Sequence, residues 1–162
     1  MQKPSLEPSE AQLVKAKNWF GMFIHFGPNT FNNLEWSNGR LPLSSYAPTD
    51  VDTDQWAKVA YDAGMHYVIL ITKHHDGFCL WDTDTTDYCV KNTPNKTGVV
   101  EKMAKSCQKY GLKLGLYYSL WDRHEKCYRK HDKYVEYMER HLSELFGGKY
   151  GEIFELWFDG GW

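Results

Sequence analysis

Four runs of strand length, each nearly continuous in apolar residues, recur along the chain with helix-like blocks between them. They occupy residues 19–26, 67–72, 112–119 and 153–159. Apolar runs without alternation predict parallel strands covered on both faces, and helical connections between them make βαβ units. The connecting blocks carry helix punctuation. Residues 10–17 read as a short leading helix. Thr53 or Asp54 caps a helix bearing Trp56, Val59, Ala60 and Ala63, with Gly64 past its end. Residues 98–110 place Val99, Met103 and Cys107 on one stripe ahead of Gly111. Tyr134, Met138, Leu142 and Leu145 form the core stripe of a last helix, closed by Gly147-Gly148. A long polar, proline-containing loop runs from Gly27-Pro28 to about Asp50.

Two architectures use this alternation, an open doubly wound sheet and a closed (β/α)8 barrel. The open sheet calls for a Gly-rich phosphate loop after its first strand. His25-Phe26-Gly27-Pro28 stands there instead, and the proline lacks a backbone donor. The barrel places polar chemistry at the C-terminal ends of its strands. Those ends read His25, His74-His75-Asp76, Tyr117-Tyr118-Ser119 and Asp159. Strand parity agrees: Met22, Ile24, Leu112, Leu114, Leu116, Phe154, Leu156 and Phe158 would face helices. Gly21, Phe23, His25, Gly115, Tyr117, Trp157 and Asp159 would face inward.

Spacing sets the size. His25, His74, Tyr117 and Asp159 lie 49, 43 and 42 residues apart, and eight such units need well over about 300 residues. The 162 residues therefore read as α/β, an incomplete TIM-type (β/α)8 barrel with about four parallel strands and covering helices, as one unit over residues 1–162. A half barrel alone bares two strand edges and its inner face. The expectation is a homo-oligomer or a complementary half-barrel chain.

Nineteen basic against 21 acidic residues give a net charge of −2, which argues against a basic nucleic-acid surface. No stretch approaches the ~20 apolar residues of a membrane span. Met1-Gln2-Lys3-Pro4-Ser5 opens polar, without a signal-peptide core. Cys79, Cys89, Cys107 and Cys127 contain no Cys-x-x-Cys pair. A cytoplasmic setting is the expectation, or a secreted or periplasmic one if a leader was removed. Aromatic residues reach 16% of the chain, which fits either a heavily packed core or a sugar-stacking cleft.

Several residues carry two readings. Asp159, between Trp157 and Trp162, is a nucleophile toward an anomeric carbon or the first residue of an Asp-Gly turn. His74-His75-Asp76 supplies donors to ring hydroxyls, a metal ligand, or one pocket histidine and a structural partner for the loop. Both histidines reach one site only if the strand ends between them. His124, Cys127 and His131 fall on one face if that segment is helical, giving either three zinc ligands or a solvated helix start. Glu35-Trp36 is an acid beside an aromatic, suited to a sugar ring, or an exposed loop pair.

At these residues the chain resembles the α-L-fucosidases of glycoside hydrolase family 29. The stretches that carry the resemblance are Trp19-Phe20-Gly21-Met22-Phe23-Ile24-His25-Phe26-Gly27-Pro28, Glu35-Trp36 and Lys73-His74-His75-Asp76-Gly77-Phe78. Gly115-Leu116-Tyr117-Tyr118-Ser119 and Glu155-Leu156-Trp157-Phe158-Asp159-Gly160 follow in family order. The resemblance implies a retaining mechanism on a (β/α)8 barrel with Asp159 as nucleophile. It further implies that His25, His74 and His75 hold fucose hydroxyls, with Glu35 and Trp36 as loop contacts. Tyr117 and Trp157 match pocket-wall aromatics, Tyr117 being preferred to Tyr118 on strand parity. The run His75-Asp76-Gly77-Phe78-Cys79-Leu80-Trp81 is similar to the branch acting on α-1,3/1,4-linked fucose. The substrate would be a fucosylated oligosaccharide or glycoconjugate, with no cofactor and no metal.

A retaining glycosidase needs two carboxyl groups about 5–5.5 Å apart. The family's general acid/base comes from later strands, and no motif marks Glu35, Asp76 or Asp82 as a substitute. Activity is therefore expected of an oligomer. The alternatives are a non-catalytic fucose-binding half barrel or inactive remnant, and a metal-dependent barrel hydrolase that uses His25, His74 and His75 as ligands.

Overall fold

The computed structural model describes residues 7–161; residues 1–6 and Trp162 lie outside the described residues. The elements are α1 (Glu10–Lys17), β1 (Gly21–Ile24), α2 (Pro28–Asn32), α3 (Thr53–Asp62), β2 (Tyr67–Lys73), α4 (Val99–Tyr110), β3 (Lys113–Ser119), α5 (His131–Phe146) and β4 (Ile153–Asp159). The strands form one parallel sheet in the order β1-β2-β3-β4. Sequential order with each crossover helix on the same side differs from a doubly wound sheet, which carries helices on both faces.

Local chemistry explains the helices. Ser9 and Gln12 close a capping box on α1. The cap of α3 is Asp52, whose carboxylate accepts from the Gln55 N–H at 2.9 Å, one or two residues earlier than expected. Thr53 is drawn instead to Ser106 Oγ on α4, 2.8 Å away. Gly111 takes the left-handed conformation (φ 68°) that ends α4. Where a loop was expected, Pro28 opens the single helical turn α2.

Three further expectations are corrected. The buried face of α3 is Thr53, Ala57 and Ala60, while Val59 is 45% exposed. Its angular position on the helix, not its side chain, decides this. His124 and Cys127 lie in turns before α5 begins at His131, so the three do not share a helix face. His124 pairs with Gly39 O and Cys127 Sγ with Lys133 O. The third correction concerns Phe154. Leu114 pairs with Ile153 and Gly115 with Glu155, so β4 carries one extra residue there. Phe154 consequently lies against Tyr67 of the inner face, 5.6 Å between ring centroids.

The two faces of the sheet differ. Val68, Leu70, Leu114 and Leu116 pack with Ala57, Ala60, Val99, Met103 and Leu145 into the main core under α3, α4 and α5. The inner face is thinner: Ile69, Ile71 and Tyr117 with Tyr67, and Lys15 of α1 over the Tyr67 ring, paired with Glu155. Phe23 and Trp157 on that face are 46% and 45% exposed. The described residues thus cover the strands fully on one face only, because all three crossover helices lie on that side. Among the described residues no helix is long and apolar enough to cross a membrane.

Candidate active site

The C-terminal ends of the four strands converge. An irregularity in β2 makes this possible. Ile71 pairs with Tyr117 but Lys73 with Tyr118, so one extra residue, Thr72, stands in β2. Its hydroxyl donates to Tyr117 O at 2.7 Å. The offset turns Lys73 toward the helices and ends the strand there, leaving both histidines beyond it. His74 lies 4.6 Å from the His25 ring and 5.8 Å from Tyr117, and His75 is 4.1 Å from His74. Both histidines enter one site.

Asp159 closes the opposite side. Tyr117 Oη donates to its Oδ2 at 2.7 Å and the Gly160 N–H to its Oδ1 at 2.7 Å. These bonds, the tyrosine's foremost, hold the carboxyl below its ordinary range against partial desolvation. His75 Nε2 stands 3.9 Å from Oδ2. Burial lowers all three imidazoles, His74 to about 3; the Asp159 charge opposes this at His74 and His75, and Glu35 opposes it at His25. The imidazoles are therefore neutral at neutral pH, and they act as hydrogen-bonding groups instead of cations.

Aromatic rings complete the walls. Phe23 meets Tyr117 and Trp157 edge-on at 5.8 and 5.5 Å. Trp36, half exposed, meets His75 at 5.6 Å and Trp121 at 6.0 Å. Glu35 is exposed beside it, its carbonyl accepting from Asn29 Nδ2 at 3.3 Å. Tyr118 turns away, its hydroxyl against His141 Nδ1 at 2.9 Å. Asp82 is an exposed residue near Lys91, and Asp76 is buried, its carboxyl pushed up to about 6 by desolvation. Among the described residues no group of three His, Cys, Asp or Glu side chains is placed to hold a metal ion.

Sequence reasoning missed the support beneath the site. Lys73 and Asp122, both fully buried, pair at 2.9 Å, and Lys73 also reaches Tyr134 Oη at 3.2 Å. Asp122 Oδ1 accepts from the His124 and Glu125 N–H groups, and the Arg123 N–H donates to His75 O. Arg123 Nη1 reaches Ser37 O at 2.7 Å, beside Trp36. The available signal was a lysine at the end of an apolar strand, which must be neutralised if buried.

An ionised carboxylate with fixed donors, set among neutral imidazoles and ring faces, suits attack at the acetal carbon of a bound, hydroxyl-rich cyclic acetal. Comparison with known proteins points the same way. A family model described as Alpha-L-fucosidase matches residues 41–162. The chain is 46% identical over 156 residues to Alpha-L-fucosidase 1 of Arabidopsis thaliana, covering 94% of this chain and 31% of that one. It superposes with TM-score 0.91 and 40% identity on a crystal structure of a putative alpha-L-fucosidase from Bacteroides ovatus, covering 95% of this chain and 27% of that one. A Bacteroides thetaiotaomicron GH29 alpha-L-fucosidase, crystallised as a trapped covalent intermediate in complex with 2-fluoro-fucosyl fluoride, matches with TM-score 0.82 and 26% identity, over 99% of this chain and 44% of that one. The chain thus spans under half the length of each of these relatives.

Proposed function

The chain belongs to the α-L-fucosidase family, and from that membership we propose that it forms the nucleophile-bearing wall of a retaining α-L-fucosidase. The observation that carries the reading is Asp159, ionised and oriented by Tyr117 and Gly160, beside His74 and His75. Asp159 attacks the anomeric carbon of a terminal α-L-fucosyl group on an oligosaccharide or glycoconjugate. A glycosyl-enzyme ester forms, and water then hydrolyses it. His25, His74 and His75 hydrogen-bond the sugar hydroxyls. Glu35 and Trp36 contact the ring from the loop, and Tyr117 and Trp157 wall the reacting centre.

These four strands are the first half of an eight-stranded barrel. The edges of β1 and β4 and the half-exposed Phe23 and Trp157 are covered by further strands, whether of the same polypeptide, a complementary one or a second copy. The acid/base carboxyl that protonates the leaving oxygen comes from those strands.

A reagent with a good leaving group tests the nucleophile without needing that acid. The chain incubated with 2-fluoro-fucosyl fluoride should gain one 2-fluoro-fucosyl group, which peptide mass spectrometry places on Asp159. An unmodified chain, or a label on another residue, would overturn the assignment.

A further inference from the structure

The most constrained hydrogen bonds in the site concern His75. Ser119 ends β3 fully buried and pairs in register with Asp159. Its Oγ stands 2.7 Å from Trp121 O and 2.7 Å from His75 Nδ1, and it also bonds the Tyr117 hydroxyl, whose own hydrogen goes to Asp159. A serine hydroxyl owns one hydrogen, and a carbonyl oxygen only accepts. The hydrogen therefore goes to Trp121 O. Toward His75 the oxygen has only lone pairs left to offer, so Nδ1 must carry the proton. The opposite assignment sets two bare acceptors 2.7 Å apart at the carbonyl.

We infer that Ser119 holds His75 as the neutral tautomer protonated on Nδ1, so that Nε2 faces the bound ligand as a hydrogen-bond acceptor. This deepens the fucosidase reading and rests on it for the identity of the ligand. Ser119 is a positioning residue, since it acts through His75. Two consequences follow for recognition. With its proton directed into the fold, His75 does not donate to Asp159, whose side-chain donor is Tyr117. The ligand must also bring a hydroxyl whose hydrogen points at Nε2. A fluorine or an O-methyl group in that place offers no hydrogen and is discriminated against, because Nε2 then receives no hydrogen bond from the ligand. The specificity is thus for the direction of a hydroxyl hydrogen as well as for its position.

Nitrogen NMR of the chain labelled with 15N-histidine reads the tautomer directly, with His75→Gln used to assign the signals. At neutral pH the parent should show His75 protonated at Nδ1. Ser119→Ala should shift the population toward the Nε2-protonated form and weaken L-fucose binding about tenfold, while Ser119→Thr should restore both. A parent His75 protonated at Nε2 would overturn the inference, and so would a tautomer unchanged in a folded Ser119→Ala. The parent spectrum decides even if that variant does not fold. A parent that reads Nδ1-protonated but ignores L-fucose would leave the tautomer standing and remove the fucose reading instead.

Discussion

Tyr117 on β3 and Asp159 on β4 are joined side chain to side chain by a 2.7 Å hydrogen bond. Their strands run parallel and in register two residues before the carboxylate, where Tyr117 pairs with Trp157. The bond spans neighbouring strands of one sheet, so the donor's placement is fixed by backbone pairing and not by a mobile loop. It is also the largest influence holding the Asp159 carboxyl down.

Removing that donor should therefore weaken Asp159 in its proposed role as nucleophile without displacing it. In Tyr117→Phe the rate of labelling by 2-fluoro-fucosyl fluoride should fall about tenfold, as for one lost hydrogen bond to a charged group. The acid limb of its pH profile should move to higher pH, since the carboxyl loses the bond that favours its ionised form. An unmoved limb would mean that Tyr117 does not tune Asp159.

Asp76 offers a pH test of the fold beneath the site. Burial raises its carboxyl from 3.8 to about 6. A carboxyl raised on folding stabilises the folded state fully below the unfolded value, and that contribution is lost as pH rises through the folded one. Stability of the parent relative to Asp76→Asn should thus fall between about pH 4 and 6, by up to about 3 kcal/mol. Urea denaturation of both proteins at the two ends of that window measures it. A difference that does not change with pH would count against a buried, titrating Asp76.

The Lys73–Asp122 pair should behave as a buried ion pair does when half of it is removed. Lys73→Met leaves a carboxylate without its cation and should cost about 3–5 kcal/mol. Adding Asp122→Asn should recover much of the loss, because the amide oxygen still accepts from the His124 and Glu125 N–H groups. Chemical denaturation of the two single variants and the double variant closes the cycle. Additive losses would show that the two residues are not coupled.

The half-exposed Phe23 and Trp157 predict assembly of the chain by itself. Light scattering should give a mass above one chain at micromolar concentration and a lower one on dilution. Trp157→Ser should shift that dependence toward the monomer. A folded monomer across the whole range would sink the expectation of a second copy and leave the strands of a longer or a complementary polypeptide as the cover.

What could be read from sequence was the part governed by periodicity. Near-continuous apolar runs marked four strands because a parallel strand shows little exposed polarity. Alternation within them separated Tyr117 from Tyr118 without structural help. Both places where alternation failed hold one extra residue, Thr72 in β2 and Phe154 in β4. A bulge leaves no mark in hydrophobic pattern, so the facing of every residue beyond it is open. The caps erred by a residue or two for a related reason: Asp52, Thr53 and Asp54 can each cap, and the choice falls to contacts with α4, Ser106 taking Thr53 and Ser106 with Lys109 taking Asp54. The polar supports of the site were hidden more deeply. Lys73, Asp122 and His141 are buried groups whose partners lie 49 residues apart, or 23 apart for Tyr118 and His141. No local signal links them.

The extra residue at Thr72 also dictates where this polypeptide can be cut and rejoined. A chimaera joined before Thr72 inherits the offset together with everything that depends on it. A donor strand lacking the offset would send Lys73 among the imidazoles and swing a histidine into the helix layer. Asp122 would then be stranded 49 residues downstream with no cation to meet it. The end of β2 and the turn after β3 therefore travel as one block. Recombination between them, in the laboratory or in a genome, should return folded chains only when both parents share the bulge.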